Sequence, residues 1–134
     1  DTHGHQAGNL LLRAMADSVR REKRDSDFAA RFGGEEFVVL VPGDARDAVR
    51  LAERLRHAVA QLELPQLGPE GRVTVSIGVA SFPEQATNAA ELFERADQAL
   101  YVAKENGRNR TIVYPNTQVV RRADLPEHQQ RTPA

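Results

Sequence analysis

The sequence predicts a domain of the α/β or α+β class, in which helices cover a β-sheet. Segments with apolar residues at helical spacing alternate with short strand-like segments, in the order helix, hairpin, helix, strand, helix, strand. The 134 residues, 40% hydrophobic and 28% charged, suit one compact domain with a single core. Both observations favour one layer of sheet packed against helices.

The first predicted helix runs from Ala7 to about Arg24. Its apolar residues recur at helical spacing, and its basic end suits the negative end of the helix dipole. The segments DFAARF and FVVLVP follow, and Gly33 and Gly34 between them supply the positive φ angles that a tight turn requires. We therefore expect an antiparallel hairpin after the helix.

The second half of the chain predicts two helices and two strands. Apolar residues at helical spacing mark a helix between Ala48 and Leu62. The strictly alternating segment RVTVSIGVASF predicts a strand in the middle of the sheet. A third helix begins near Asn88 and stops at Asn106, and RTIVYP predicts a closing edge strand. Residues 115–134 are polar without an apolar period, so we assign them to a C-terminal tail.

The charge balance and composition exclude several classes of partner. Eighteen basic and nineteen acidic residues nearly cancel, so no whole-domain field attracts nucleic acid or an anionic membrane. The chain has no cysteine, which excludes a disulfide framework and fits a reducing cytoplasm. No apolar run approaches the length of a membrane span. Because the sequence starts DTHGHQAGN without an initiator Met, we expect a piece of a longer protein.

The segment RFGGEEF places two adjacent carboxylates at the predicted hairpin turn. One interpretation is a solvated sheet edge that Glu35 and Glu36 keep soluble. The other is a site for a hard cation such as Mg²⁺, on which both carboxylates converge with help from backbone carbonyls. The neighbouring glycines would let the main chain approach a phosphate closely.

Four segments together resemble the GGDEF family of diguanylate cyclases. GGEEF resembles the family signature, GHQAGN its GHxxGD motif, TVSIGVA its internal strand, and ADQALYVAKENGRNR its C-terminal helix and basic turn. The resemblance covers residues 1–114 with matching spacing. It implies a palm-like sheet covered by helices, similar to class III nucleotidyl cyclases but lacking the first strand and helix of the family. Those absent elements would carry another metal-binding Asp and a guanine-binding Asn.

The resemblance implies that two GTP molecules condense into the bacterial second messenger cyclic di-GMP with loss of pyrophosphate. Two protomers would face each other as a homodimer, each holding one GTP with Mg²⁺ or Mn²⁺. Glu35 would be the catalytic residue and a metal ligand, and Glu36 the second metal ligand. Gly33 and Gly34 would line the phosphates. The divalent charge would offset the repulsion between the glutamates.

Four further residues match substrate-binding positions of the family. Lys104 and Arg108 would bind the terminal phosphates, although cations at a helix end also suit the helix dipole. His5 would lie near the guanine, although a His-Gly-His segment is more often a loop or a cap. Asn9 stands where the family usually has Asp, and its amide offers guanine one acceptor instead of two. We expect weaker guanine selectivity, unless Asn9 caps the helix instead.

Arg24 and Asp27 form an RxxD motif, and five residues lie between Asp27 and Gly33. The motif matches the inhibitory site of many family members, to which Arg54 would add a third side chain. The arginine fork suits the O6 and N7 acceptors of guanine, and the Asp would accept from its N–H groups. The alternative is that Arg24 stabilises a helix end and Asp27 starts a strand.

Two functional classes remain. The first is a cytoplasmic diguanylate cyclase domain with product inhibition, whose parent protein can be membrane-anchored and whose isolated fragment is weakly active or inactive. The second is a non-catalytic receptor for GTP or cyclic di-GMP, or a dimerisation module of the same fold. The glutamate pair favours the enzyme, whereas Asn9 favours the receptor. Open sheet edges also favour pairing between copies.

Overall fold

In the computed structural model, which describes residues 2–67, 71–115 and 118–119, long helices pack against two small sheets. The α+β class predicted from the sequence is confirmed. The elements in chain order are α1 (Thr2–Glu22), β1 (Phe28–Phe32), β2 (Glu36–Leu40), α2 (Ala45–Ala60), a 3-10 turn (Pro65–Leu67), β3 (Ile77–Val79), α3 (Ala89–Glu105), β4 (Thr111–Val113) and β5 (Gln118–Val119).

Side-chain caps explain where α2 and α3 begin. The carboxylate of Asp44 accepts from the Asp47 N–H at 3.1 Å, and the Asp47 carboxylate accepts from the Asp44 N–H at 3.1 Å, which forms a capping box. Asn88 caps α3 by accepting from the Glu91 N–H at 2.8 Å, as the sequence predicted. Helix α1 begins five residues before the predicted Ala7, because apolar periodicity marks only the part of a helix that packs.

Strands β1 and β2 form the predicted antiparallel hairpin, with Phe28 opposite Leu40 and Phe32 opposite Glu36. Consecutive residues of each strand face opposite sides of the hairpin. Ala29 packs against the core, whereas Phe28 on the other face is 64% exposed. The Phe32 ring lies 4.8 Å from the ring of Phe93, which places the turn end of the hairpin beside the first half of α3.

The second sheet differs from the prediction. Strand β3 pairs in parallel with β4, and β4 pairs antiparallel with β5. Within the described ranges β3 has a strand on one side only, so the predictions of a mid-sheet β3 and a closing edge β4 are wrong. Alternation reports side-chain environment, whereas the position of a strand depends on backbone partners. Strand β5 also lies inside the predicted tail, because pairing with a free edge needs no apolar period.

Two apolar clusters join these elements. Val19, Leu51 and Leu55 are buried between α1 and α2, and Val39 of β2 and Ile77 of β3 pack against them. Both sheets therefore lie on the same pair of helices. The second cluster, formed by Ala99, Ala103 and Ile112, packs α3 against β4. No helix in residues 2–67 or 71–115 is long and apolar enough to cross a bilayer.

Helix α3 crosses β3 in direct contact at Gly78. A Cβ at this position would overlap the Ala96 carbonyl oxygen and the Leu100 amide nitrogen, and would lie 3.0 Å from the Leu100 Cα. These atoms belong to the helix backbone and cannot rotate away as a side-chain end can. The separation between α3 and β3 therefore requires glycine.

One carboxylate is buried between α2 and β4, where it pairs with a half-buried arginine. Glu53, 4% exposed, accepts hydrogen bonds from Thr111 Oγ1 at 2.7 Å and from Arg56 Nε and Nη2 at 2.8 and 3.0 Å. Burial pushes the pKa of Glu53 upward, but the hydrogen bonds from Arg56 and Thr111 outweigh burial and hold the pKa below 4.5. The hydrogen bonds to Glu53 also raise the pKa of Arg56.

The contact at Gly78 predicts that Gly78→Ala lowers the free energy of unfolding by roughly 1–3 kcal/mol, because α3 has to move away from β3. Urea unfolding measures this change. Gly8→Ala is the matched control, since a Cβ at Gly8 meets nothing within 4 Å. In the helix this control should be stabilising by about 0.5–1 kcal/mol. Equal stabilities of Gly78→Ala and the wild type would contradict the assigned close contact.

The lowered pKa of Glu53 predicts a loss of stability in acid. Because folding lowers the pKa of Glu53, the ionised carboxylate stabilises the fold at pH values above its unfolded-state pKa. This stabilisation is lost as the pH falls through the folded-state pKa. Urea unfolding at a series of pH values should show a weaker acid dependence in Glu53→Gln than in the wild type. Glu94→Gln, at an exposed position of α3, should keep the wild-type dependence. Identical profiles for all three proteins would refute the assignment.

Candidate functional site

The turn of the hairpin is short and open. Gly33, Gly34 and Glu35 connect the paired residues Phe32 and Glu36. Gly33 has φ +70°, which favours glycine, whereas Gly34 does not adopt a left-handed φ, so the predicted use of both glycines holds for Gly33 alone. A Cβ at either glycine would meet nothing within 4 Å. The space above the turn is therefore open to a ligand.

Arg31, which the sequence analysis did not single out, holds this turn. Its Nη2 donates to the Gly34 carbonyl at 2.6 Å. The bond satisfies a carbonyl that the ladder between β1 and β2 leaves outside. In the sequence, Arg31 stands directly before Phe32, the last residue of β1. This spacing alone does not show which carbonyl the arginine side chain reaches.

The two glutamates differ in exposure, with Glu35 exposed and Glu36 half-buried. Their carboxylates supply hard oxygen ligands of the kind that Mg²⁺ and Mn²⁺ take in proteins. Among the residues whose side chains the structure describes, no group of three His, Cys, Asp or Glu gathers as metal ligands. The donor set of the turn thus fits part of a divalent-cation site, and further oxygens have to come from phosphate, water or another segment.

Lys104 and Arg108 are exposed at the far end of α3. Phe93 touches the hairpin end, and Lys104 follows it by eleven residues, about 16 Å along the helix axis. Lys104 thus lies about three turns of α3 beyond the residue that contacts the hairpin. Arg108 has φ 63° and lies in the turn that follows α3.

His5 and Asn9 both lie in α1. The side chain of His5 is outside the described part of the chain. Asn9 is exposed inside a helix that begins at Thr2, so the interpretation of Asn9 as a helix cap is wrong. Its amide remains accessible on the helix surface.

The RxxD residues lie just after α1, and the carboxylate of Asp27 points inward. Asp27 Oδ2 accepts from the Arg24 backbone N–H at 2.8 Å, and the side chain is 1% exposed. Its Oδ1 is buried without a hydrogen-bond partner in the described structure, 3.7 Å from Arg24 Nη2. Arg24 Nη2 also donates to the Pro42 carbonyl at 3.4 Å. In this conformation Asp27 stabilises the turn that presents Arg24.

Arg54 reaches the same region from α2. Its Nη2 donates to the Glu22 carbonyl at 3.0 Å, at the last residue of α1. The side chains of Arg24 and Arg54 are 51% and 39% exposed. The structure thus brings the three residues of the predicted inhibitory site to one end of α1, with two accessible guanidinium groups and one buried carboxylate.

Helices packed on small sheets, with a glycine–glutamate turn at the end of a hairpin, define an α+β palm domain similar to that of nucleotidyl cyclases. The sequence model described as "Diguanylate cyclase, GGDEF domain" matches residues 1–110. The chain therefore belongs to the GGDEF family, as the four segments of the sequence predicted.

Relatives and solved structures agree with this assignment. The chain is 42% identical over 117 residues to diguanylate cyclase A of Treponema denticola. This alignment covers 87% of this chain and 32% of the relative. The chain thus spans about a third of that protein. The structure of the active GGEEF domain of a diguanylate cyclase from Vibrio cholerae has 35% identity and a TM-score of 0.74, covering 82% of this chain and 70% of that one. The structure of the GGDEF domain of DgcB from Caulobacter crescentus in complex with c-di-GMP has 37% identity and a TM-score of 0.73. The match covers 84% of this chain and 68% of that one.

Proposed function

We propose that this chain forms most of a diguanylate cyclase domain, which condenses two GTP molecules into cyclic di-GMP and pyrophosphate. The observation that carries the proposal is the open turn with adjacent Glu35 and Glu36, in a chain of the GGDEF family. A similar domain that also carries GGEEF is described as active, so glutamate in the third position of the signature is compatible with catalysis. The proposed domain occupies residues 1–114 together with β5, which pairs with β4.

The residues of the turn have separate roles in this proposal. Gly33 and Gly34 leave the backbone free to approach the phosphates of GTP. Glu35, which is exposed, accepts the proton of the attacking 3′-hydroxyl and binds the metal together with Glu36. A Mg²⁺ or Mn²⁺ ion bound there would neutralise charge on the phosphates.

Each turn serves one GTP, so the 3′-hydroxyl of one nucleotide reaches the α-phosphate of the other only when two protomers face each other. Lys104 and Arg108 bind the terminal phosphates, and His5 and Asn9 lie near the guanine.

The second candidate is a non-catalytic receptor for GTP or cyclic di-GMP with the same fold. The observation that favours it is Asn9, because an exposed amide provides one acceptor where a carboxylate would provide two. Either function operates in the cytoplasm, where GTP is available.

The donor set predicts that the purified 134-residue chain forms little or no cyclic di-GMP from GTP and Mg²⁺, because two carboxylates are an incomplete metal site. Chromatographic separation of the nucleotides measures the product. The longer protein that we expect to contain this chain should form cyclic di-GMP, and Glu35→Gln should abolish that activity. Robust synthesis by the 134-residue chain would disprove the incomplete site, and a longer protein that binds GTP without turnover would favour the receptor.

We also propose that Arg24, Asp27 and Arg54 form a product-binding site through which cyclic di-GMP inhibits the enzyme. Two accessible guanidinium groups at one end of α1 support this proposal, since the arginine fork matches the O6 and N7 acceptors of guanine. Asp27 contributes by fixing the backbone of Arg24, and it contacts the guanine directly only if its carboxylate turns outward.

Arg24→Ala should weaken cyclic di-GMP binding by roughly 1–3 kcal/mol, because the bidentate contact to guanine is lost. Titration calorimetry on the folded chain measures the affinity. Arg20→Ala is the matched control, since Arg20 is an exposed arginine near the end of α1 that pairs with Asp17. Absence of binding by the wild type, or equal affinities of the wild type and Arg24→Ala, would eliminate the proposed inhibitory site.

A further inference from the structure

The turn after α3 has a backbone conformation that needs external support. Gly107, Arg108 and Asn109 have φ angles of 108°, 63° and 46°, so three consecutive residues are left-handed. This conformation is unfavourable for a residue with a side chain, although Asn tolerates it better than most. Within the turn, the Arg108 N–H donates to the Ala103 carbonyl at 2.9 Å, and Arg110 Nε donates to the Arg108 carbonyl at 2.9 Å.

A third support comes from α2. Arg56 Nη1 donates to Asn109 Oδ1 at 3.0 Å and to the Asn109 carbonyl at 3.4 Å, across 53 residues of sequence. The Nε and Nη2 of the same guanidinium donate to the two oxygens of Glu53. One edge of the planar group is thus fixed by a buried carboxylate, and its remaining nitrogen bonds the left-handed residue next to Arg108.

Glu53 is itself fixed at both oxygens. Thr111, two residues after Asn109 and 1% exposed, donates its hydroxyl to Glu53 Oε2. The turn is therefore held from both sides by α2, through Asn109 on Arg56 and through Thr111 on Glu53. A salt bridge that only stabilised the core would be complete with the two bonds between Arg56 and Glu53, and would not need the additional contact to Asn109.

We propose that Arg56, oriented by Glu53, is a positioning residue that holds the turn Gly107–Arg110 left-handed and thereby directs Arg108 towards nucleotide phosphates. The direction of the Arg108 side chain follows from its backbone angles, which the bonds to Asn109 constrain. The phosphate part of this inference rests on the proposed function, whereas the conformation of the turn does not. Lysine cannot replace Arg56, because a single ammonium group lacks the planar fork that bonds Glu53 and Asn109 together.

Amide hydrogen exchange of the 134-residue chain tests the conformation of the turn. In Arg56→Lys the protection of the Arg108 N–H should fall about tenfold or more, as expected for losing charge-assisted hydrogen bonds. Arg46→Lys, at an exposed arginine of the same helix, should leave this protection unchanged. Circular dichroism verifies that both variants are folded. Unchanged protection in Arg56→Lys would overturn the proposal.

Asn109→Gly provides a second variant if Arg56→Lys does not fold. Glycine accepts the left-handed φ without cost but lacks the side-chain oxygen that Arg56 bonds. The Glu53–Arg56 pair stays intact, so a lower protection of the Arg108 N–H would support the proposal. Wild-type protection in Asn109→Gly, with the fold retained, would overturn the role of the Arg56–Asn109 contact.

Affinities of the longer protein that we expect to contain this chain for GTP and GMP, both measured with Mg²⁺, test the link to phosphate binding. Arg56→Lys should weaken GTP binding about tenfold and leave GMP binding unchanged, because GMP lacks the terminal phosphates. Arg108→Ala should have the same selectivity, and the double variant should be no weaker than Arg108→Ala. An unchanged GTP to GMP ratio in Arg56→Lys would overturn the phosphate role. If this longer protein binds no GTP, the proposed function and the phosphate role both fail, and hydrogen exchange alone decides whether Arg56 holds the turn.

Discussion

The apolar contact between α1 and α2 is the constraint on which the remaining structure depends. Val19, Leu51 and Leu55 form a common surface, and Val39 from one sheet and Ile77 from the other pack against it. The two sheets share no backbone ladder in the described residues. The position of the glycine–glutamate turn relative to α3 is therefore determined by side-chain packing, which adjusts more easily than a continuous ladder of hydrogen bonds.

The hairpin turn and the turn after α3 are held in place by different kinds of contact. The turn at Gly33 is fixed by the hairpin and by Arg31, whereas the hairpin as a whole is held by apolar contacts. The turn that carries Arg108 is fixed instead by hydrogen bonds to the Glu53–Arg56 pair. The turn with the two glutamates and the turn that carries Arg108 thus have separate supports.

Local signals in the sequence predicted the hairpin, the bounds of α3 and the family itself, because turn glycines, caps and motif spacing act within a few residues. The order of strands was not predicted correctly, since the alternating segment around Ile77 records its surroundings and not its backbone partners. The contact between Arg56 and Asn109 spans 53 residues and leaves no local pattern. The inward carboxylate of Asp27 was also missed, because the motif gives residue types without side-chain directions.

The outward face of the hairpin has a thermodynamic consequence. Phe28, Phe32 and Leu40 are each more than half exposed, and they lie on the same face of β1 and β2. Burial of a Phe or Leu side chain contributes about 1.5–3 kcal/mol relative to full exposure, so these three side chains leave a large part of their transfer free energy unrealised in water. The strands that carry the glycine–glutamate turn thus present an apolar surface whose burial against any other surface would be thermodynamically favourable.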